Sequence, residues 1–285
     1  MMTELLLLLM GSANAGDDPW IAPAKTTNFF VAVSGEQFRD FVADEGELMP
    51  GSDPIRTVGG KLYIRHSLGE NSDLTLDLPF VSSWSSGPNP SGLYARTTGV
   101  GLLQAELRRR WLEAISTRAV VRTGALHQSS RGRLTNLSEG TTDLGLGLGT
   151  GGVFPGNKRF YTADMGVSYW FRFPIQSGNE IPADEVSWTA NMLVSPSSNM
   201  GIGAAVSGHH RLDGQSLGAV TVNNPADQWA ALEAQQIKVG GRIMLYSTDN
   251  HPAICLTVLR AVWARNNPID TTLVEFGVGW DMRRD

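Results

Sequence analysis

Apolar and polar residues alternate with a period of two along most of this chain, and turn residues interrupt the alternation at intervals. Leu74, Leu76, Leu78 and Phe80 alternate with Thr75, Asp77 and Pro79. Leu103, Ala105, Leu107 and Trp111 alternate with Gln104, Glu106, Arg108 and Arg110, and Arg109 breaks the apolar row. Ala119, Val121, Thr123 and Ala125 oppose Val120, Arg122 and Gly124, and Leu144, Leu146 and Leu148 alternate with glycines. Met165, Val167, Tyr169, Phe171 and Phe173 oppose Asp164, Ser168, Trp170 and Arg172. Further runs centre on Trp188, Ala204, Val239 and Phe276, an early one covers Phe29 to Ala43, and Lys61 to Leu68 forms a hairpin with Leu74 to Val81. Ala253 to Arg265 is apolar on both faces. The pattern predicts about twelve strands and no core helix, because no stretch carries a sustained 3.6-residue stripe.

The connections decide which all-β architecture this is. Short turns at 69–72, 113–117, 154–158, 195–199 and 247–252 alternate with long segments at 44–60, 82–98, 128–142, 174–184 and 211–227, and the last connection, 266–271, is short. A soluble sandwich has no reason to segregate its loops in this way. A transmembrane antiparallel up-and-down β-barrel does, with tight periplasmic turns, longer external loops and an even strand number. With twelve strands, both termini are periplasmic. Trp111, Phe160, Phe173, Trp188, Tyr246, Trp263 and Trp280 fall near strand ends, where aromatic girdles meet the lipid–water interface. The last strand places Phe276 and Trp280 on its apolar face near the C-terminus, although Asp281 to Asp285 follow.

Composition excludes other classes. Beyond the N-terminus no apolar run approaches the ~20 residues of a spanning helix. A single cysteine, Cys255, rules out an internal disulfide framework and a cysteine-based zinc cluster. A net charge of -5 gives no support to a nucleic-acid partner. At the start, Leu5 to Leu9 and Met10 precede Gly-Ser-Ala13-Asn14-Ala15, an apolar run followed by small residues at a cleavage spacing. Residues 1–15 therefore read as a signal peptide, despite Glu4 and the absence of Lys or Arg before the run, and 16–285 as a single barrel domain in the outer membrane.

Four segments carry a family resemblance: Leu68 to Leu76, Gly99 to Leu107, Thr142 to Leu148 and Ala163 to Tyr169. In layout the chain resembles outer-membrane transporter-like barrels linked to degradation of phenols and other aromatics, distant relatives of fatty-acid channels. Where members of that family often carry Gly-x-Gly-Asp before the fourth strand, this chain has Gly99-Val-Gly-Leu102. The resemblance implies transport and no particular solute.

Candidate chemistry is sparse. Gly147-x-Gly149-x-x-Gly152 matches a dinucleotide fingerprint in letters, but Val153-Phe154-Pro155 follows instead of a helix, so it reads as small residues where side chains crowd. Extending the outward phase of its strand puts His127 and Ser129 on one face, an arrangement resembling outer-membrane phospholipase A. There a His activates a Ser hydroxyl, and Thr141, Thr142 or Asp143 could orient the His. This defines an alternative in which the chain is a lipid hydrolase. His209-His210 lacks metal partners at useful spacing, and no cofactor is expected.

The inward face carries the main functional expectation. By phase it holds Arg65, Arg108, Arg110, Arg122, Arg172, Lys238, Arg242 and Arg260, with Asp77, Glu106, Asp164 and Glu275. Such charges would cost up to ~2–4 kcal/mol per Arg or Lys on the lipid face near midplane. The expectation is a cationic lumen, with Ile254, Leu256, Val258 and Val262 forming an apolar wall beside Arg260. It supports either a ladder of ion pairs that plugs a narrow barrel or a path for solutes. The function read from the sequence is passive uptake of small aromatic or anionic amphipathic solutes, with outer-membrane lipid as surroundings. The remaining alternative is a structural barrel, homo-oligomeric or in an envelope complex.

Overall fold

The computed structural model describes residues 25–42, 46–49, 54–85, 96–124, 141–155, 159–174, 183–197, 200–214, 233–245 and 252–283. The expected signal peptide, 1–15, and the His127/Ser129 pair lie outside the described residues. Strands β1 (Thr26–Phe38), β2 (Ile55–Ser67), β3 (Ser72–Ser85), β4 (Arg96–Val100 continued by Leu103–Leu112), β5 (Ile115–Thr123) and β6 (Thr141–Pro155) form the first half of one sheet. The second half comprises β7 (Phe160–Pro174), β8 (Glu185–Ser197), β9 (Met200–Arg211), β10 (Gln235–Leu245), β11 (Ala253–Arg265) and β12 (Thr272–Arg283).

Each strand pairs antiparallel with its sequence neighbours, and β1 pairs with both β2 and β12, which closes the sheet into a twelve-stranded barrel. Closure leaves no open edge, the condition that lipid imposes on strands. The break in β4 faces Pro79 of β3. Proline has no N–H to donate, the partner chain bulges at Gly101–Leu102, and the Gly101 amide donates to the Pro79 carbonyl at 2.9 Å.

The strand ends that face each other from β2 to β3, β4 to β5, β6 to β7, β8 to β9 and β10 to β11 lie at one end, the short-turn end, with the start of β1 and the end of β12. The strand ends that the long segments join lie at the other. There a three-stranded flap pairs Phe41–Val42 with Leu48–Met49 and with Asn267–Pro268. The β11–β12 connection that supplies it starts at Asn266, which adopts a left-handed conformation (φ 49°) that asparagine tolerates better than most residues. Asp270 then accepts from the backbone amides of Arg39 (2.8 Å) and Asp40 (3.0 Å).

The alternation sorts residues as a membrane barrel requires. Leu74, Leu76, Leu78, Phe80, Leu144, Leu146, Leu148, Met165, Val167, Val274 and Phe276 are exposed on the outside. Asp73, Thr75, Asp77, Glu106, Arg108, Asp143 and Arg172 are buried within. Trp111 and Trp280 are exposed near the short-turn end, and Phe173 and Trp263 near the other, so both girdles are occupied. A polar interior and an apolar exterior invert the soluble arrangement and define a membrane-spanning barrel.

One strand departs from the sequence expectation. In β11 the buried row is Cys255, Thr257, Leu259 and Ala261, whereas Leu256, Val258, Arg260 and Val262 are exposed. Arg260 therefore points outward, and the apolar inner wall expected beside it does not exist. With apolar residues on both faces the strand carries no phase signal of its own. Its register comes instead from β10 and β12, with a bulge opposite Ile237–Lys238.

Candidate functional site in the barrel lumen

The lumen holds a cavity of about 280 Å³, lined among others by Lys61, Asp77, Glu106, Arg118, Arg122, Trp170, Glu185, His209 and Lys238. Inward glycines make room for it. A Cβ on Gly145 would meet the Trp170 ring, and one on Gly147 would meet Ser168 and Arg118. The Gly-x-Gly pattern of β6 thus lets a tryptophan and an arginine lie flat along the inner wall. The Trp170 indole donates to Ser187 Oγ at 2.8 Å, and the Arg122 guanidinium sits 3.9 Å from the ring centroid, a close cation–π contact.

The inward charges are paired. At the long-loop end Arg122 Nε donates to Asp143 Oδ2 at 2.5 Å, Arg172 lies 3.5 Å from Asp143, and Glu185 links Arg122 (3.6 Å) to Arg211 (3.2 Å). Lys61 meets Asp77 at 2.7 Å and Lys238 meets Glu36 at 2.7 Å. Asp164 accepts from Asn191 at 2.8 Å. Near the short turns Arg108 donates through Nε and Nη2 to Asp73, lies 3.3 Å from Glu106, and shares Asp73 with Arg65 at 3.8 Å.

These pairings correct the expectation of a cationic lumen, because Arg108 alone meets two buried acids, Asp73 and Glu106. Asp73, Asp143, Glu185 and Glu36 also lie inside, as do the cations Lys61, Arg118 and Arg211. Asp73, Lys61 and Arg118 share the strand phase of Asp77, Arg65 and Arg122, so extending the alternation along those three strands finds them; the other four lie on strands where the sequence reading places no inward charge. Arg108 pairs across the strands with Arg118, and Arg122 sits opposite Gln104. Arg110 leaves the lumen at its strand end, where Nη2 bonds Glu70 O and Asn71 Oδ1 of the β2–β3 turn at 3.0 and 3.2 Å. Asp143 is committed to Arg122 and Arg172, and Thr142 hydrogen-bonds Thr123 at 2.8 Å, so neither is free to orient His127.

A smaller chamber adjoins the main cavity through shared Thr189 and Ser207. It is lined by Asn191, Arg242, Thr257 and Glu275, and Arg242 Nε also donates to Cys255 Sγ at 3.3 Å. One nitrogen of Arg242, Glu275 Oε1 and the Thr189 hydroxyl are buried there without a hydrogen-bond partner among the described residues.

Below these cavities, toward the short turns, the inner wall turns apolar. Phe30, Ala32, Tyr63, Leu193, Met244 and Cys255 form one buried cluster reaching from β8 round to β2. The Phe30 ring lies on Gly277 and Gly279, where any Cβ would strike it. Tyr63 joins the cluster to the ion pairs, because its hydroxyl accepts from Arg65 Nε at 3.0 Å. The floor of the lumen is therefore half apolar and half ionic.

At the opposite mouth the 266–271 connection is tied to the inner wall. Gln236 donates to Pro268 O (2.5 Å) and Thr271 Oγ1 (3.1 Å), and Asn267 hydrogen-bonds His209 at 2.8 Å. Among the described residues no group of His, Cys, Asp or Glu could hold a metal ion.

No protein-family model matches the chain, and no curated protein does. Solved structures do. The COG4313 outer membrane channel from Pseudomonas putida F1 superposes with a TM-score of 0.69 at 16% identity, covering 93% of this chain and 98% of that one. The translocator domain of the autotransporter NalP from Neisseria meningitidis gives 0.51 at 13% identity, covering 91% and 88%. At such identities the likeness is one of fold. With its apolar exterior and closed twelve-stranded ladder, this chain is an outer-membrane β-barrel of the architecture found in the COG4313 channel.

Proposed function

We propose that the barrel is a passive channel for small amphipathic solutes, with both termini and the short turns in the periplasm and residues 1–15 removed on export. The observation that carries this reading is the sequence of environments along the lumen. A polar cavity of about 280 Å³ near mid-barrel gives way to the Phe30–Tyr63–Leu193–Met244 cluster. The ionic half of the floor is rigid: Arg108 forks onto Asp73, and both are almost fully buried. The apolar half contains Met244, whose unbranched chain re-packs easily. Solutes pass through the apolar half, and an apolar constriction resists ions by staying dry. A solute suited to both environments has a polar group for the cavity and a compact apolar body, which accommodates the aromatic and anionic amphipathic solutes expected from the sequence. The likeness to the COG4313 outer membrane channel supports transport over catalysis. Liposome swelling with refolded protein tests the reading. Small amphipathic acids should enter faster than sugars of equal size, and equal rates would refute it.

A further inference from the structure

Arg260 faces outward from a strand whose other outward residues are apolar, and the pairing register fixes its height. It sits opposite Thr272 of β12, which pairs with Gln37 of β1, which pairs with Arg56 of β2. Arg260, Gln37 and Arg56 are all exposed, and Arg56 Nε donates to Gln37 Oε1 at 3.1 Å. The same register joins Trp280, Phe29 and Ile64 in a row near the short turns. From Phe29 to Gln37 the barrel rises roughly 20 Å, at ~3.4 Å per residue and a tilt of ~40°. An apolar band is ~25 Å tall. The row climbs with the tilt by roughly 3 Å per strand, so Arg56 lies at the hydrocarbon boundary of the long-loop end and Arg260 roughly 9 Å deeper, below exposed Trp263, which marks the interface. Arg260, just inside that boundary, is tolerated because its long side chain snorkels up to the headgroups.

We infer that Arg260 and Arg56 form a docking row for the phosphates of a phosphorylated glycolipid in the external leaflet. Three strand spacings separate them, roughly 14 Å at ~4.8 Å each, so they engage separate phosphates. No ion pair neutralises either side chain among the described residues. Arg39, nearby in sequence beyond β1, is by contrast already paired with Asp40 at 2.8 Å. Guanidinium groups bind phosphate through paired, charge-assisted hydrogen bonds. The choice of leaflet rests on the orientation proposed above, whereas the lipid contact is independent of whether solutes pass.

The test is native mass spectrometry of the full chain refolded in detergent. The probes are bisphosphorylated lipid A, its dephosphorylated form and phosphatidylglycerol, each at low and high salt. The wild type should retain bisphosphorylated lipid A, and salt should weaken the retention. Arg260→Gln with Arg56→Gln should lower it roughly tenfold or more, while Arg260→Lys with Arg56→Lys should keep most of it. Arg109→Gln, at the other end of the barrel, should change nothing. Unboiled gel mobility verifies folding, and the Lys pair, which keeps the charge, separates lost binding from lost fold. Equal retention by the Gln pair, indifference to phosphate, or stronger retention of phosphatidylglycerol would each overturn the proposal. A failure of liposome swelling would leave this result standing, and the reverse holds too.

Discussion

Arg108 and Asp73 face one another across β3 and β4 inside the barrel, with guanidinium Nε 2.9 Å from Oδ1 and Nη2 3.1 Å from Oδ2. Both are almost fully buried, at 1% and 0% exposure. A buried pair adds little or nothing over an apolar replacement of both partners, but removing one partner strands the other. Arg108→Met should therefore destabilise the folded barrel by about 3–5 kcal/mol. Adding Asp73→Leu should recover much of that loss. Urea titration followed by unboiled gel mobility measures both, and an additive double mutant would refute the coupling.

Gly277 and Gly279 leave the space that the Phe30 ring fills. Gly277→Val should cost about 1–3 kcal/mol through overpacking. Phe30→Ala in the same chain should relieve the clash. Urea midpoints of the two single variants and the double variant test this, and a Gly277→Val loss that Phe30→Ala does not reduce would contradict the packing.

Lys238 lines the cavity, and its neighbour Val239 faces lipid. In a Cys255→Ser background, Lys238→Cys should react with a water-soluble thiol reagent in vesicles. Val239→Cys should react only with a membrane-soluble one. The reverse pattern would mean that β10 is out of register.

His127 and Ser129 define the hydrolase alternative. Purified protein should show no phospholipid cleavage that His127→Ala or Ser129→Ala removes. Cleavage abolished by both substitutions would make the chain an enzyme.

The fold was legible wherever one strand face was apolar and the other polar. Leu74 to Phe80 and Val274 to Trp280 fixed their own phase, and loop lengths fixed the up-and-down order. β11 was not legible, because Ile254, Cys255, Leu256, Val258 and Leu259 are apolar on both faces and only its neighbours set which side Arg260 takes. The lumen was half legible. Phase placed Arg65, Asp77, Glu106, Arg108, Arg122, Arg172, Lys238, Arg242 and Glu275 within the barrel wall, but partners such as Asp73 with Arg108 depend on inter-strand register, which alternation does not encode. The apolar floor was invisible for a similar reason. Phe30, Leu193 and Met244 each break the polar inner row of their own strand, and only closure of the barrel gathers them.

The central claim, that an apolar constriction controls passage through the lumen, is tested most directly by single-channel conductance in planar bilayers. The wild type should pass little ionic current, because Phe30, Leu193 and Met244 keep that level of the pore dry. Phe30→Ala with Met244→Ala should open a steady conductance at least several times larger. A wild type that already conducts freely, or a double variant that folds and stays as silent as the wild type, would contradict the account.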